Sequence, residues 1–167
     1  MRWTPQAYYY WNSLGVIGEY ARVAQEIRRN LTAASSREEK LDHNAWQIAV
    51  TYVLTGEDNS FRGIKSSNPF AIGKSGWGAF EAGARYTALK LDDDSFTGGA
   101  NSFADPTLSV KSAKTWGAVL NWYLNSNVKF QFDYEKTRFE GGGGGTVTAP
   151  LDRIDEDLFF ARFQVAF

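Results

Sequence analysis

Apolar and polar residues alternate with a period of two in five stretches of the chain, the pattern of strands with two unlike faces. Over 128–135, Val128, Phe130, Phe132 and Tyr134 share one face, and Lys129, Gln131, Asp133 and Glu135 share the other. From Lys114 to Leu124, Trp116, Ala118, Leu120, Trp122 and Leu124 oppose Thr115, Gly117, Val119, Asn121 and Tyr123. Between Asn44 and Leu54 the apolar set is Trp46, Ile48, Val50, Tyr52 and Leu54. Phe80 to Ala88 sets Phe80, Ala82, Ala84, Tyr86 and Ala88 against Glu81, Gly83, Arg85 and Thr87. The last segment has Phe159, Ala161, Phe163, Val165 and Phe167 on one face and Phe160, Arg162 and Gln164 on the other. Two further strands are expected near the start, Ala7–Asn12 and Val16 to about Arg28. In the latter, Arg22, Glu26 and Arg28 fall in phase with Tyr20, which predicts a bulge or an exit from the apolar band.

The breakers agree with about seven strands. Pro5, Pro69, Pro106 and Pro150 all fall outside the expected strands, as the missing N–H requires. Ser13-Leu14-Gly15 and Asn125-Ser126-Asn127 read as tight turns, and residues 30–43, 92–113 and 140–154 as long polar loops. The link 55–76 is long where a short turn would fit the alternation. Long loops at one end and mostly short turns at the other describe an outer-membrane barrel. Strands of ten to twelve residues, tilted near 45°, would rise about 25 Å, the height of such a barrel's apolar band.

A soluble barrel and a membrane barrel share this alternation but invert it. Here one face carries Gly, Thr, Asn, Gln and both charge signs, while the other carries Trp, Tyr, Phe and Leu. Trp46, Tyr52, Tyr86, Trp116, Trp122 and Tyr134 fall near segment ends, where a barrel's interfacial aromatic girdles belong. The competing reading is a soluble sandwich whose aromatics fill its core. The connections supply no helix or second sheet to cover so wide a face. The expected fold is therefore all-β, an antiparallel transmembrane β-barrel segment over residues 1–167 with no separate soluble domain.

Composition sharpens this picture. Aromatics make 16% of the chain, and the mean hydropathy is only −0.39, as alternation requires. No stretch approaches the roughly 20 apolar residues of a spanning helix. A net charge of −1 leaves no basic footprint for nucleic acid. Cysteine is absent, which removes disulfides and thiolate chemistry, and a lone His43 excludes any site needing two imidazoles. No cofactor or metal is expected. Met1-Arg2-Trp3-Thr4-Pro5 has no apolar leader core, which leaves a cytoplasmic chain or a processed or truncated piece of an exported one.

Other motifs carry little chemistry. Gly141–Gly145 lacks the Gly-Lys-Ser/Thr of a phosphate cradle and reads as a flexible surface loop. Asp92-Asp93-Asp94-Ser95 lacks calcium-loop spacing and reads as a solvated or lipopolysaccharide-bridging loop. Ser36-Arg37-Glu38-Glu39 fits a capping box and predicts a short helical turn. His43 is expected at an exposed loop-to-strand junction, with nothing orienting it toward a serine. Asp155, Glu156 and Asp157 mark the mouth of the last strand, without the pocket that acid–base work needs. Nothing here points to an enzyme.

Several segments nonetheless resemble a known family. Tyr8-Tyr9-Tyr10 with Leu14-Gly15-Val16-Ile17-Gly18-Glu19-Tyr20 is similar to the phosphate-selective porin O and P family. Tyr52-Val53-Leu54-Thr55-Gly56-Glu57, Asn68-Pro69-Phe70, Gly76-Trp77-Gly78-Ala79-Phe80-Glu81 and Ala84-Arg85-Tyr86 follow in order. So do Asn121-Trp122-Tyr123-Leu124-Asn125 and the closing Ala161–Phe167. The resemblance implies a sixteen-stranded trimeric porin of the bacterial outer membrane that passes anions such as phosphate. This chain resembles only the C-terminal half of such a porin, about seven of those strands. Phe163, Val165 and Phe167 resemble the terminal signal read by the barrel-assembly machinery. Membrane lipid and lipopolysaccharide are the expected surroundings.

The pore-lining candidates are Arg85, Lys129 and Arg162 against Glu81, Asp133 and Glu135, a balanced set. Rings of one sign would select ions, whereas cross-strand pairing would neutralise them. Two functions stay open: a segment of a water-filled diffusion channel, or an incomplete wall or anchor module with no conductance of its own.

Overall fold

A computed structural model describes residues 1–32, 35–97 and 99–166. Its strands are β1 (Arg2–Trp3), β2 (Gln6–Trp11), β3 (Leu14–Asn30), β4 (Ser36–Val53), β5 (Ala79–Lys90), β6 (Val110–Tyr123), β7 (Val128–Thr146), β8 (Ala149–Asp152) and β9 (Glu156–Val165). They form one antiparallel up-and-down sheet, each long strand bonded to the next. β1 and β2 are one stave broken at Pro5. Both follow a single register against β3, and the Pro5 carbonyl still accepts the Tyr20 N–H at 3.0 Å. β8 folds back on the far end of β7. The expected staves are therefore present, with two short additions. The sheet stays open: β2 pairs with β3 and β9 with β7, and the two edge strands do not meet.

Several staves outrun their expected limits. β3 and β4 pair residue for residue from Leu14↔Tyr52 to Asn30↔Ser36, without a shift. At 17 and 18 residues they span roughly 55–60 Å along the strand, far beyond an apolar band. The in-phase charges of β3 thus mark an exit from that band. The one irregularity in β6 against β7 lies between Val110 and Ser112. Residues 36–43 are strand rather than loop, and Ser36–Glu39 forms no helical turn. Gly141–Gly145 is also strand. Gly142 and Gly144 donate to the Pro106 and Thr107 carbonyls, and Gly141 accepts from Arg153. A Cβ at Gly143 would lie 2.1 Å from the Asp152 carbonyl oxygen, so that position admits no side chain. Pro150 sits inside β8, another departure from expectation.

The turns are short where strands meet at one end. Asn12 and Ser13 join β2 to β3, one residue earlier than the pattern suggested, with Asn12 at φ 48°. The Asn125 carboxamide oxygen accepts from the Asn127 and Val128 N–H groups at 2.9 and 3.0 Å, closing the β6–β7 turn. The opposite end carries the 91–109 connection, with 3₁₀ turns at Asp93–Ser95 and Gly99–Asn101.

Among the described residues only Leu41, Val53, Ile64 and Ala79 are buried hydrophobics. Trp46, Trp116 and Phe163 are 42, 45 and 59% exposed. A soluble sandwich would bury such rings; this sheet displays them.

Candidate pore-lining face and membrane face

Register decides what each face shows. Val16 pairs with Val50, Val50 with Ala84, Ala84 with Ala118, Ala118 with Tyr134, and Tyr134 with Phe159. Each residue comes from the apolar set of its own strand. The alternations thus stay in phase across the sheet and build one continuous apolar face. β4 shows the consequence: its even positions from Trp46 to Tyr52 are exposed, and the odd positions between them are half-buried.

The apolar face has two aromatic rows. Tyr20, Trp46, Tyr86, Trp116 and Tyr134 form one, in which Trp46 meets Tyr86 at 5.4 Å and Trp116 meets Tyr134 at 5.3 Å. Phe80, Trp122, Phe130 and Phe163 form the other, with ring centroids 5.5, 5.8 and 5.0 Å apart, and Tyr52 extends it across β4. Between the rows the face holds Ile48, Val50, Ala82, Ala84, Ala118 and Leu120. Polar ring atoms find partners at the margins. The Tyr134 hydroxyl donates to Asp157, and Trp122 Nε1 donates to the Trp77 carbonyl at 2.6 Å. Phe163 and Val165 lie on this face opposite Phe130 and Val128. Phe167 lies outside the described residues.

All six pore-lining candidates share the opposite face, where they divide by partner. Arg85 and Glu135 form an ion pair although β6 runs between their strands. The residue between them is Gly117, and the missing side chain leaves the path open. Glu81, 6% exposed, accepts from Asn121 at 2.8 Å, Tyr123 at 3.0 Å and Asn59 at 3.4 Å. Asp133 accepts from Gln131 at 2.8 Å. Lys129 lies over the Tyr123 ring at 5.3 Å. Arg162 has no ion pair or hydrogen bond among the described residues.

Sequence reasoning missed the partners of Glu81. Asn59 belongs to the 54–78 link, which folds onto the polar face. There Asn59 also donates to Thr51 at 2.7 Å, and Phe61 stacks on Tyr8 at 5.6 Å. Val53, Ile64 and Ala79 seal the base of this fold-back. The length of the link, anomalous at a short-turn end, was the one available signal.

The long-loop end is tied by local charge. Asp92 is the N-cap of the first 3₁₀ turn, and its carboxylate accepts from the Asp94 N–H at 3.0 Å and the Asp42 N–H at 2.7 Å. His43 lies within β4, not at a junction, and its Nδ1 accepts the Asp92 N–H at 3.1 Å. Hydrogen bonding from the Lys111 ammonium, with Lys90 nearby, holds the Asp93 carboxyl below the ordinary carboxylate range. Asp155 and Asp157 pair with Lys136 at 3.8 and 3.2 Å, and Glu156 pairs with Arg153 at 2.5 Å.

Comparison with known proteins agrees with this geometry. Over 153 residues the chain is 26% identical to Porin O of Pseudomonas aeruginosa, an alignment covering 90% of this chain and 33% of that protein. The chain thus spans about a third of the length of that relative. The profile described as "Phosphate-selective porin O and P" matches residues 3–167, nearly the full chain, and the protein belongs to that family of β-barrel porins.

Proposed function

We propose that the chain forms part of the wall of a water-filled outer-membrane channel through which small solutes diffuse passively. The observation that carries this reading is the in-phase register, which separates a lipid-compatible face from a polar one over every long stave. On this reading the two aromatic rows are the interfacial girdles. Glu81, Arg85, Lys129, Asp133, Glu135 and Arg162 face the lumen. Phe163 and Val165 belong to the strand presented to the assembly machinery, and the complete protein is a homotrimer in lipid and lipopolysaccharide. Its work is geometric, with no bond made or broken.

The family description favours anions, phosphate above all. In this segment Lys129 and Arg162 are the lumen candidates without a carboxylate partner among the described residues. Arg85 is neutralised by Glu135. The open sheet favours a second reading, a wall module that conducts only once its edges are completed. Reversal potentials in planar bilayers under a chloride gradient test both. Anion preference supports the channel, cation preference contradicts the anion assignment, and zero conductance supports the wall module.

A further inference from the structure

The 91–109 connection leaves β5 and returns to β6, yet its contacts reach back across β4 to β3. Arg37 Nη2 donates to the Asp94 carbonyl at 3.3 Å and to Thr97 Oγ1 at 3.0 Å. Its Nη1 donates to the Thr97 and Asn101 carbonyls, and its guanidinium lies 4.9 Å from the Phe103 ring centre. Arg29 donates to the Ser102 carbonyl. Ser102, nearly fully buried, ties the turn internally by donating to the Gly99 carbonyl at 2.7 Å.

Two features make this more than a surface contact. Arg29 and Arg37 are register partners, so two like charges stand directly opposite on adjacent strands, an arrangement a bare sheet disfavours. Converging carbonyl oxygens of the connection offset it, together with the Glu39 carboxylate 3.6 Å from Arg37 Nη2. Both arginines also occupy positions in phase with Glu19, Gln47 and His43, on the polar side of the sheet. Leu41, in the same phase, is 1% exposed. The connection therefore lies inside the sheet's polar face at the long-loop end.

We infer that Arg37, seconded by Arg29, is a positioning residue that latches the 91–109 connection across the outer mouth and so sets the width open to solutes. The inference rests on the channel reading for its effect on transport, though not for the latch itself. The variants are Arg37→Ala, Arg29→Ala/Arg37→Ala and Arg37→Lys, assembled in the outer membrane and checked for heat-modifiable migration. Chymotrypsin applied to intact cells should cleave after Phe96 or Phe103 severalfold faster in the alanine variants. Single channels should show larger, noisier currents. Arg37→Lys, keeping one cation over Phe103, should restore part of both effects. Unchanged cleavage in the double variant would overturn the latch. Faster cleavage with unchanged current would overturn its role in setting the mouth. If the unsubstituted protein carried no current, the channel reading would fail and cleavage alone would judge the latch.

Discussion

Gly117 stands between Arg85 and Glu135 on three adjacent strands, and its lack of a side chain lets the two charges meet. A Cβ there would approach Glu135 Cγ to 3.2 Å and the Tyr134 carbonyl oxygen to 3.3 Å. The pair is half-exposed on the polar face, so on the channel reading its value lies in neutralising charge rather than in stability. Arg85→Gln should leave Glu135 free and shift the reversal potential toward cations, and Glu135→Gln should shift it toward anions. The double variant should return near the starting value, because the net charge of the position is zero with both residues present and with both removed. An unchanged reversal potential in both single variants would contradict the placement of this pair on the water-filled face.

Asp93 offers a pH test outside the apolar band. Its folded pKa is depressed by Lys111 and Lys90, so it contributes stability above the ordinary carboxylate value near about pH 4. That contribution fades as pH falls through the lower folded value. Carbon NMR of the carboxyl should give a midpoint below that of an exposed aspartate, and Lys111→Met should raise it.

At the scale of elements, what could be read in advance depended on contrast between faces. Within the band, β4, β5 and β6 each set rings or aliphatics against polar groups, and the period was plain. Beyond it one face meets water and the other the polar 91–109 connection, so Ser36-Arg37-Glu38-Glu39-Lys40 has no hydropathy period although its backbone remains paired with β3. Gly141–Gly145 has no side chains to alternate, and its strand is held by backbone bonds to Pro106 and Thr107 that no local pattern announces. The candidate lumen residues were assignable to a face by parity alone. Their partners were not, because Asn59 and Gly117 act across distant segments. Orientation of β6 has a direct energetic test. Leu120→Arg places a charge between the aromatic rows and should cost about 2–4 kcal/mol in lipid, as charged substitutions near a barrel's midplane do. Val119→Thr, on the other face, should cost far less. Chemical denaturation of the folded protein in lipid vesicles measures both.

For the molecule as a whole, the same parity explains why so few apolar residues are buried while so many rings are exposed. Lipid takes the place of a protein core on one side; on the channel reading, water fills the other. The edges β2 and β9 carry backbone groups that hydrocarbon cannot satisfy, so function requires that each find a strand partner. Because cysteine is absent, single cysteines can be placed along β6 from Thr115 to Leu120 without background. The most direct measurement is their reaction with a charged, water-soluble thiol reagent in the membrane-assembled protein, read beside quenching of a fluorescent label by brominated lipid. Cysteines at 115 and 119 should react from water and their labels escape quenching, while those at 118 and 120 should resist the reagent and be quenched. Reactivity without a period of two, or with the opposite phase, would contradict the assignment of these faces to water and lipid.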